Sequence, residues 1–162
     1  MIVSVDVGFK GGIVFWRYDV CVKDYIIDVY YKMPIITKKV GKKVKKELDV
    51  QKLNELLSFA SKVVIEAVHA MPKQGVTSVF NFGHQLGIIT GLSVACCGVD
   101  NVFFITPQKW KKYFGLIKKP KSASVDLVNS LYLLQLKKSE DGIFDSILIG
   151  KYFIDFVLKS NE

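Results

Sequence analysis

Two carboxylates stand where an apolar environment tolerates them least. Asp6 lies inside the β-branched run IVSVDV at residues 2–7, and Glu66 ends the apolar run VVIEAV. A carboxylate in a buried strand is costly unless it is paired or bound to a cation. A second pair, Asp141 and Asp145, is spaced i, i+4 in DGIFDSILIG. On a helix that spacing puts both on one face, where like charges repel by a few tenths of a kcal/mol unless something positive lies between them. Asp141 also suits a helix N-cap. Asp145 is harder to assign to solvent, because Phe144, Ile147 and Leu148 surround it on the inward side. Oxygen ligands without Cys or His suit Mg2+ or Mn2+. Two such ions about 3.5–4 Å apart activate a water and stabilise the leaving oxygen of a phosphodiester.

The elements that must position these groups follow from the hydrophobic pattern. Residues 2–7 read as a buried central strand, Gly11 and Gly12 as a turn, and residues 13–18 and 25–31 as second and third strands with a hairpin turn near Lys23–Asp24. The lysine-rich run at 38–46 reads as a loop or frayed hairpin extension around Gly41. Asp49 caps a helix over 50–60, with Leu53, Leu56 and Leu57 on one face. A fourth strand over 63–65 ends on Glu66. A long helix runs from Thr77 or Ser78 to about Cys97, a fifth strand spans 102–105, and two helices fill 122–136 and 141–158. The expected fold is α/β: a single domain over residues 1–162 with a five-stranded mixed sheet and helices on both faces, its ligands at the carboxyl ends of the strands. If the first and fourth strands are neighbours, Asp6 and Glu66 converge and the last helix lays Asp141 and Asp145 over them.

Charge points the same way. Lys and Arg total 23 against 15 Asp and Glu, for a net charge of +8. Six lysines lie in 38–46 (KKVGKKVKK) and six in 109–121 (KWKKYFGLIKKPK), and Arg17 is the only arginine. Lysine without arginine fits a partner recognised by backbone charge, since bidentate reading of bases favours arginine. Lys38, Lys39, Lys42, Lys43, Lys109, Lys118, Lys119 and Lys121 are the expected phosphate contacts. Composition excludes disorder and collagen-like repeats. Cys21, Cys96 and Cys97 match neither a disulfide framework nor a zinc spacing, so the expected compartment is reducing and cytoplasmic. MIVSVDVGFKGG lacks the features of a secretory signal. The apolar stretch 83–99 is shorter than the roughly 20 residues of a membrane span and is expected to be a helix buried in a soluble core.

Other notable residues have plainer roles. His69, three residues after Glu66, reads as a loop residue, and His84 as a satisfied or surface histidine. Phe80 and Phe82 read as core or interface aromatics rather than wedges. Gly83, Gly87 and Gly91 allow close helix approach, to the sheet or to a partner helix. Trp110, Tyr113 and Phe114 are amphipathic-helix residues before they are base-stacking ones.

Three segments together resemble the RuvC-like Holliday junction resolvases, in particular the compact branch carried by bacteriophages. They are VDVG with Asp6, IEAVHAMPKQGVTSVFNFGHQLGIITG with Glu66, and DGIFDSILIG with Asp141 and Asp145. The middle one is the most specific, with Ser78 and the small-residue ladder Gly83, Gly87 and Gly91. The resemblance spans residues 1–153. It implies a ribonuclease H-like fold, a homodimer, and paired metal-dependent nicks in four-way DNA junctions, with flaps and three-way forks as further substrates. Asp6, Glu66 and Asp145 match the family's metal-binding carboxylates. Many members carry Asp three residues before the last of these, where this chain has Gly142. Asp141 is four before, where phage-type sequences often show His or Asp. Lys121, in KPKSASV, matches the basic residue near the scissile phosphate, with Lys119 beside it. The 38–46 run has no counterpart in that pattern. The expected activity is a Mg2+- or Mn2+-dependent endodeoxyribonuclease with two ions per site, serving recombination and repair without a membrane, in host cytoplasm if phage-encoded. Two rivals stay open: a branched-DNA-binding protein without catalysis, and a related nuclease acting on flaps or RNA–DNA hybrids. A kinase of the actin and sugar-kinase type shares the D-x-G strand but needs a second domain, for which 162 residues leave no room.

Overall fold

The apolar run that carries Asp6 becomes β1 (Ile2–Asp6), the middle strand of a five-stranded sheet. The computed structural model describes residues 1–68, 74–134 and 136–159. β2 (Gly12–Asp19) and β3 (Asp24–Lys32) follow as an antiparallel meander. β4 (Ile35–Val40) and β5 (Lys43–Leu48) pair only with each other. Then come α1 (Val50–Leu57), β6 (Lys62–Glu66), α2 (Val76–Cys97), β7 (Val102–Ile105) and α3 (Pro107–Tyr113). The chain closes with α4 (Ser122–Tyr132), α5 (Asp141–Tyr152) and a π-helical continuation, Phe153–Leu158. The sheet order is β3-β2-β1-β6-β7, with β1, β6 and β7 parallel. The mixed sheet with helices on both faces is as expected.

Strand alternation sorts the core into two layers. Val3, Val5, Ile13, Phe15, Val63 and Ile65 pack under α1 and α2. Ile2, Val14, Trp16 and Val64 pack under α5, whose Phe144, Ile147 and Leu148 are fully buried. Ser4 shares the α5 face. It donates to the Ser146 carbonyl at 2.7 Å and accepts from the Trp16 indole at 2.9 Å, while the Ser146 hydroxyl donates back to the Ser4 carbonyl at 2.8 Å. Buried polar groups must be satisfied. Here their satisfaction fixes α5 along β1, two residues from Asp6.

Three expectations change. The 38–46 run is not a loop but the ribbon β4–β5, turned at Gly41 (φ +62°). The helix expected over 122–136 stops at Tyr132, because Leu133 adopts a left-handed conformation (φ +50°). The third concerns α2, which is not a buried core helix: only Gln85, Ile89 and Ser93 are buried, one stripe at i, i+4, i+8. Its 22 residues make it the one helix among those described that is long and apolar enough to cross a membrane. A Cβ built on Gly83, Gly87 or Gly91 would meet nothing within 4 Å, so the glycine ladder does not serve approach to the sheet.

Candidate active site

Parallel pairing of β1 with β6 runs in register to Val5 opposite Ile65. The next residues on the two strands are Asp6 and Glu66, both on the α5 face by parity with Ser4 and Val64. Their carboxyls lie close enough to act on each other electrostatically. Burial pushes the Asp6 carboxyl well above the ordinary range, and the nearby charges of Glu66 and Asp145 push it further. Burial also raises Glu66, against the opposing pull of a hydrogen bond from the Trp110 indole to its Oε1 at 2.9 Å. Asp145, on the second turn of α5, is raised by burial despite the attraction of Lys121 and Lys111.

Asp141 behaves differently. Burial acts upward on it, but Lys121 at 2.7 Å wins and holds the carboxyl below the usual range. Lys121 is raised in turn: burial opposes its charge, but the hydrogen bond it donates to Asp141 and the charges of Asp145 and Asp6 favour it. Asp141 is not the N-cap of α5; that residue is Glu140, and no side-chain cap bond is made there.

Gly142, beside Asp141, has no room for a side chain. It forms a parallel bridge with Gly11, and a Cβ there would overlap the Lys10 carbonyl and the Gly11 backbone. The start of α5 is pressed against the β1–β2 turn, and no side chain fits at that point.

Basic residues flank the carboxylates on both sides. A hollow of about 260 Å³ beside Asp145 is lined by Lys111, Lys118, Lys119 and Lys121. Another, of about 470 Å³, has Lys10 and Lys32 with Asp141 and Phe9. The structure thus brings Lys118, Lys119 and Lys121 to the acidic cluster. Lys109 instead lines a hollow with Phe104, Tyr152 and Phe156. Lys38, Lys39, Lys42 and Lys43 stand on the ribbon. His69 lies outside the described residues; His84 is exposed and stacks on Phe80 with ring centroids 6.4 Å apart.

Two participants escape a reading by sequence. Trp110 is fully buried and holds Glu66, and Lys111 places its ammonium 5.1 Å from the Trp110 ring while acting electrostatically on Glu66 and Asp145. Their available signal was the aromatic interleaving of the second lysine window, directly after the β7 strand.

Four carboxylates with no sulfur or imidazole form a donor set that fits a hard divalent cation. Glu66 is buried and Asp6 and Asp145 are half-buried, and all three carboxyls are raised, as anionic groups are when their charge is uncompensated. Among the described residues, no three Asp, Glu, His or Cys side chains stand close enough to cage an ion as they are. The Trp110–Glu66 hydrogen bond and the Asp141–Lys121 ion pair engage carboxylate oxygens instead.

No protein-family model matches the chain, and no curated protein matches its sequence. Solved structures do. The fowlpox virus Holliday junction resolvase aligns over 96% of this chain and 98% of its own, with a TM-score of 0.59 at 18% identity. Thermus thermophilus RuvC aligns over 94% and 93% with a TM-score of 0.56 at 12% identity. The yeast mitochondrial Holliday junction resolvase Ydc2 aligns over 98% and 85% with a TM-score of 0.53 at 13% identity. The chain therefore has the RuvC-type form of the ribonuclease H-like fold, as its motifs led one to expect.

Proposed function

We propose that the protein is a divalent-metal-dependent endonuclease that resolves Holliday junctions and other branched DNA by paired nicks from a homodimer. The observation that carries this reading is the convergence of Asp6, Glu66 and Asp145 from β1, β6 and α5 into one largely desolvated acidic cluster beside Lys121. Mg2+ or Mn2+ ions held by these carboxylates and Asp141 would supply an activated water and stabilise the leaving oxygen. Asp6, which neighbours all three other carboxylates, would be central to holding these ions. Lys121 would exchange Asp141 for a phosphate oxygen, and Lys118 and Lys119 would hold the strand beside it. Support for branched DNA comes from the fold neighbours, one of which is T. thermophilus RuvC in complex with a Holliday junction substrate.

The dimer reading rests on α2. The helix bears no Asp, Glu, Lys or Arg and leaves Val76, Phe80 and the glycine ladder exposed. A second copy packing there would give a junction the two sites that paired nicks require. Free thiols at Cys21, Cys96 and Cys97 suit a reducing compartment such as the cytoplasm.

The test is Asp6→Asn on a labelled four-way junction with Mn2+. The variant should bind and not cut; cutting at the wild-type rate overturns the proposal. One observation favours a second reading, a branched-DNA binder without catalysis: Asp141 is already paired with Lys121 and Glu66 with the Trp110 indole. If wild-type protein binds junctions but no concentration of Mn2+ elicits cleavage, that reading replaces the first.

A further inference from the structure

Apart from Leu48 at its base, the ribbon β4–β5 adds nothing to the core. Every residue from 35 to 46 is exposed, and neither strand joins the five-stranded sheet. An isolated two-stranded ribbon is marginal in water, and this one holds six lysines against one acid, Glu47. Its register shows how that charge is arranged. Lys38 lies directly opposite Lys45, a repulsive pairing, and Ile36 lies opposite Glu47 on the same face. Glu47 bridges both lysines, at 2.6 Å to Lys38 and 3.0 Å to Lys45. On the opposite face, Thr37 pairs with Lys46 and Lys39 with Val44, with no acid among them. Lys39, Lys42, Lys43 and Lys46 make no ion pair among the described residues.

The ribbon is also tied to the acidic cluster. Met33, at its foot, donates its backbone N–H to the Gly11 carbonyl at 2.9 Å, and Gly11 bridges to Gly142 next to Asp141. Asp49 donates to the Pro34 carbonyl at 3.0 Å and closes the base. A groove of about 320 Å³ between the ribbon and α2 is lined by Phe9, Lys46, His84 and Gln85. Phe9 also lines the hollow that ends on Asp141. A continuous surface therefore leads from the acidic cluster over Phe9 to Lys46.

The composition selects the partner. The ribbon has no aromatic residue on which single-stranded bases could stack, and no arginine to read a base edge. What remains is point charge on a narrow, two-stranded element, a shape that the roughly 12 Å major groove of B-DNA admits. We propose that the β4–β5 ribbon grips the phosphate backbone of a DNA duplex arm adjoining the cut strand, through Lys39, Lys42, Lys43 and Lys46, while Glu47 keeps Lys38 and Lys45 for the ribbon itself. This rests on the nuclease reading above for the identity of the substrate.

The experiment measures binding of a 20-base-pair duplex across a salt series in EDTA, where no cutting occurs. Lys39→Gln/Lys46→Gln should reduce the log–log salt slope by about 1.8, two phosphate contacts at about 0.9 each. The tip pair Lys42→Gln/Lys43→Gln should do the same. A control pair of equal charge change, Lys23→Gln/Lys52→Gln, should leave it alone. All of these side chains are exposed, and near-ultraviolet circular dichroism verifies the fold of each variant. Equal slopes for ribbon and control pairs overturn the proposal. So does an equal loss with a 20-nucleotide single strand or with anionic vesicles, which would make the ribbon a general anion binder. Junction cleavage with Mn2+ is read separately. A ribbon-dependent slope without cleavage by any protein keeps the grip and removes the nuclease; cleavage with an unchanged slope does the reverse.

Discussion

The indole of Trp110 donates to Oε1 of Glu66 at 2.9 Å, and both partners are buried. This bond ties the helix after β7 to the carboxylate that ends β6. It also favours the ionised form of the carboxylate, the form that the proposed cation would need. Trp110→Phe keeps most of the packing and removes the donor. Glu66 then holds its proton more tightly, so a metal must compete harder for it. A hydrogen bond to a charged group contributes about 1.5–3 kcal/mol, so junction cleavage near neutral pH should fall by roughly tenfold or more. Activity should recover as pH or Mn2+ concentration rises. A loss that neither restores would mean that Trp110 only packs.

Raised carboxyls make a prediction about stability as well. Asp6, Glu66 and Asp145 all hold protons more tightly in the folded chain than in the unfolded one. Between the unfolded values near 4 and the folded ones, the folded state binds more protons, so stability falls as pH rises through that interval. The penalty is complete above it. In EDTA at pH 7.5, Asp6→Asn should therefore melt above the wild type, by roughly 2–4 °C for each kcal/mol relieved. The gap should close towards pH 4. Mn2+ should raise the wild-type midpoint and leave the variant's nearly unchanged. A variant that melts lower than the wild type at pH 7.5 in EDTA would show that the cluster is not strained by its charge.

Gly142 lies three residues before Asp145, and Gly142→Asp asks whether an acid can be accommodated there. The backbone of Lys10 and Gly11 fills the space a Cβ would need. The substitution should cost about 3 kcal/mol, as an overpacked site does, and lower the melting midpoint without raising activity. A stable, more active variant would show that the turn can move aside.

How far these features were legible depended on whether their signal was local. Asp6 and Glu66 stood out because each is a charge inside an apolar, β-branched run, and neighbouring residues alone reveal that. Trp110 and Glu66 are 44 residues apart, and nothing in either segment announces the other; only the β6–β7 pairing and the turn into α3 bring them together. The ribbon was hidden for a different reason. Its lysines fall on both faces, so no alternation of apolar and polar residues marked it as paired strands. For α2, apolar composition indicated burial without saying by what. Only the Gln85, Ile89 and Ser93 stripe is fully covered.

That uncovered remainder of α2 can be tested by the sign of one substitution. Within the described chain, Gly87 has open space around its missing Cβ. Glycine in a helix interior is less favourable than alanine by roughly 0.5–1 kcal/mol. For an isolated subunit, Gly87→Ala should therefore stabilise. If a second copy packs its helix on the ladder, the added methyl pushes the two backbones apart and the sign reverses: the dimer weakens, and Gly87→Leu abolishes it. Light scattering over a concentration series, alongside thermal melting, separates the cases. A monomer at all concentrations, stabilised by Gly87→Ala, would remove the homodimer, and with it the pairing of two sites on one junction. A dimer that tolerates Gly87→Leu would place the interface elsewhere.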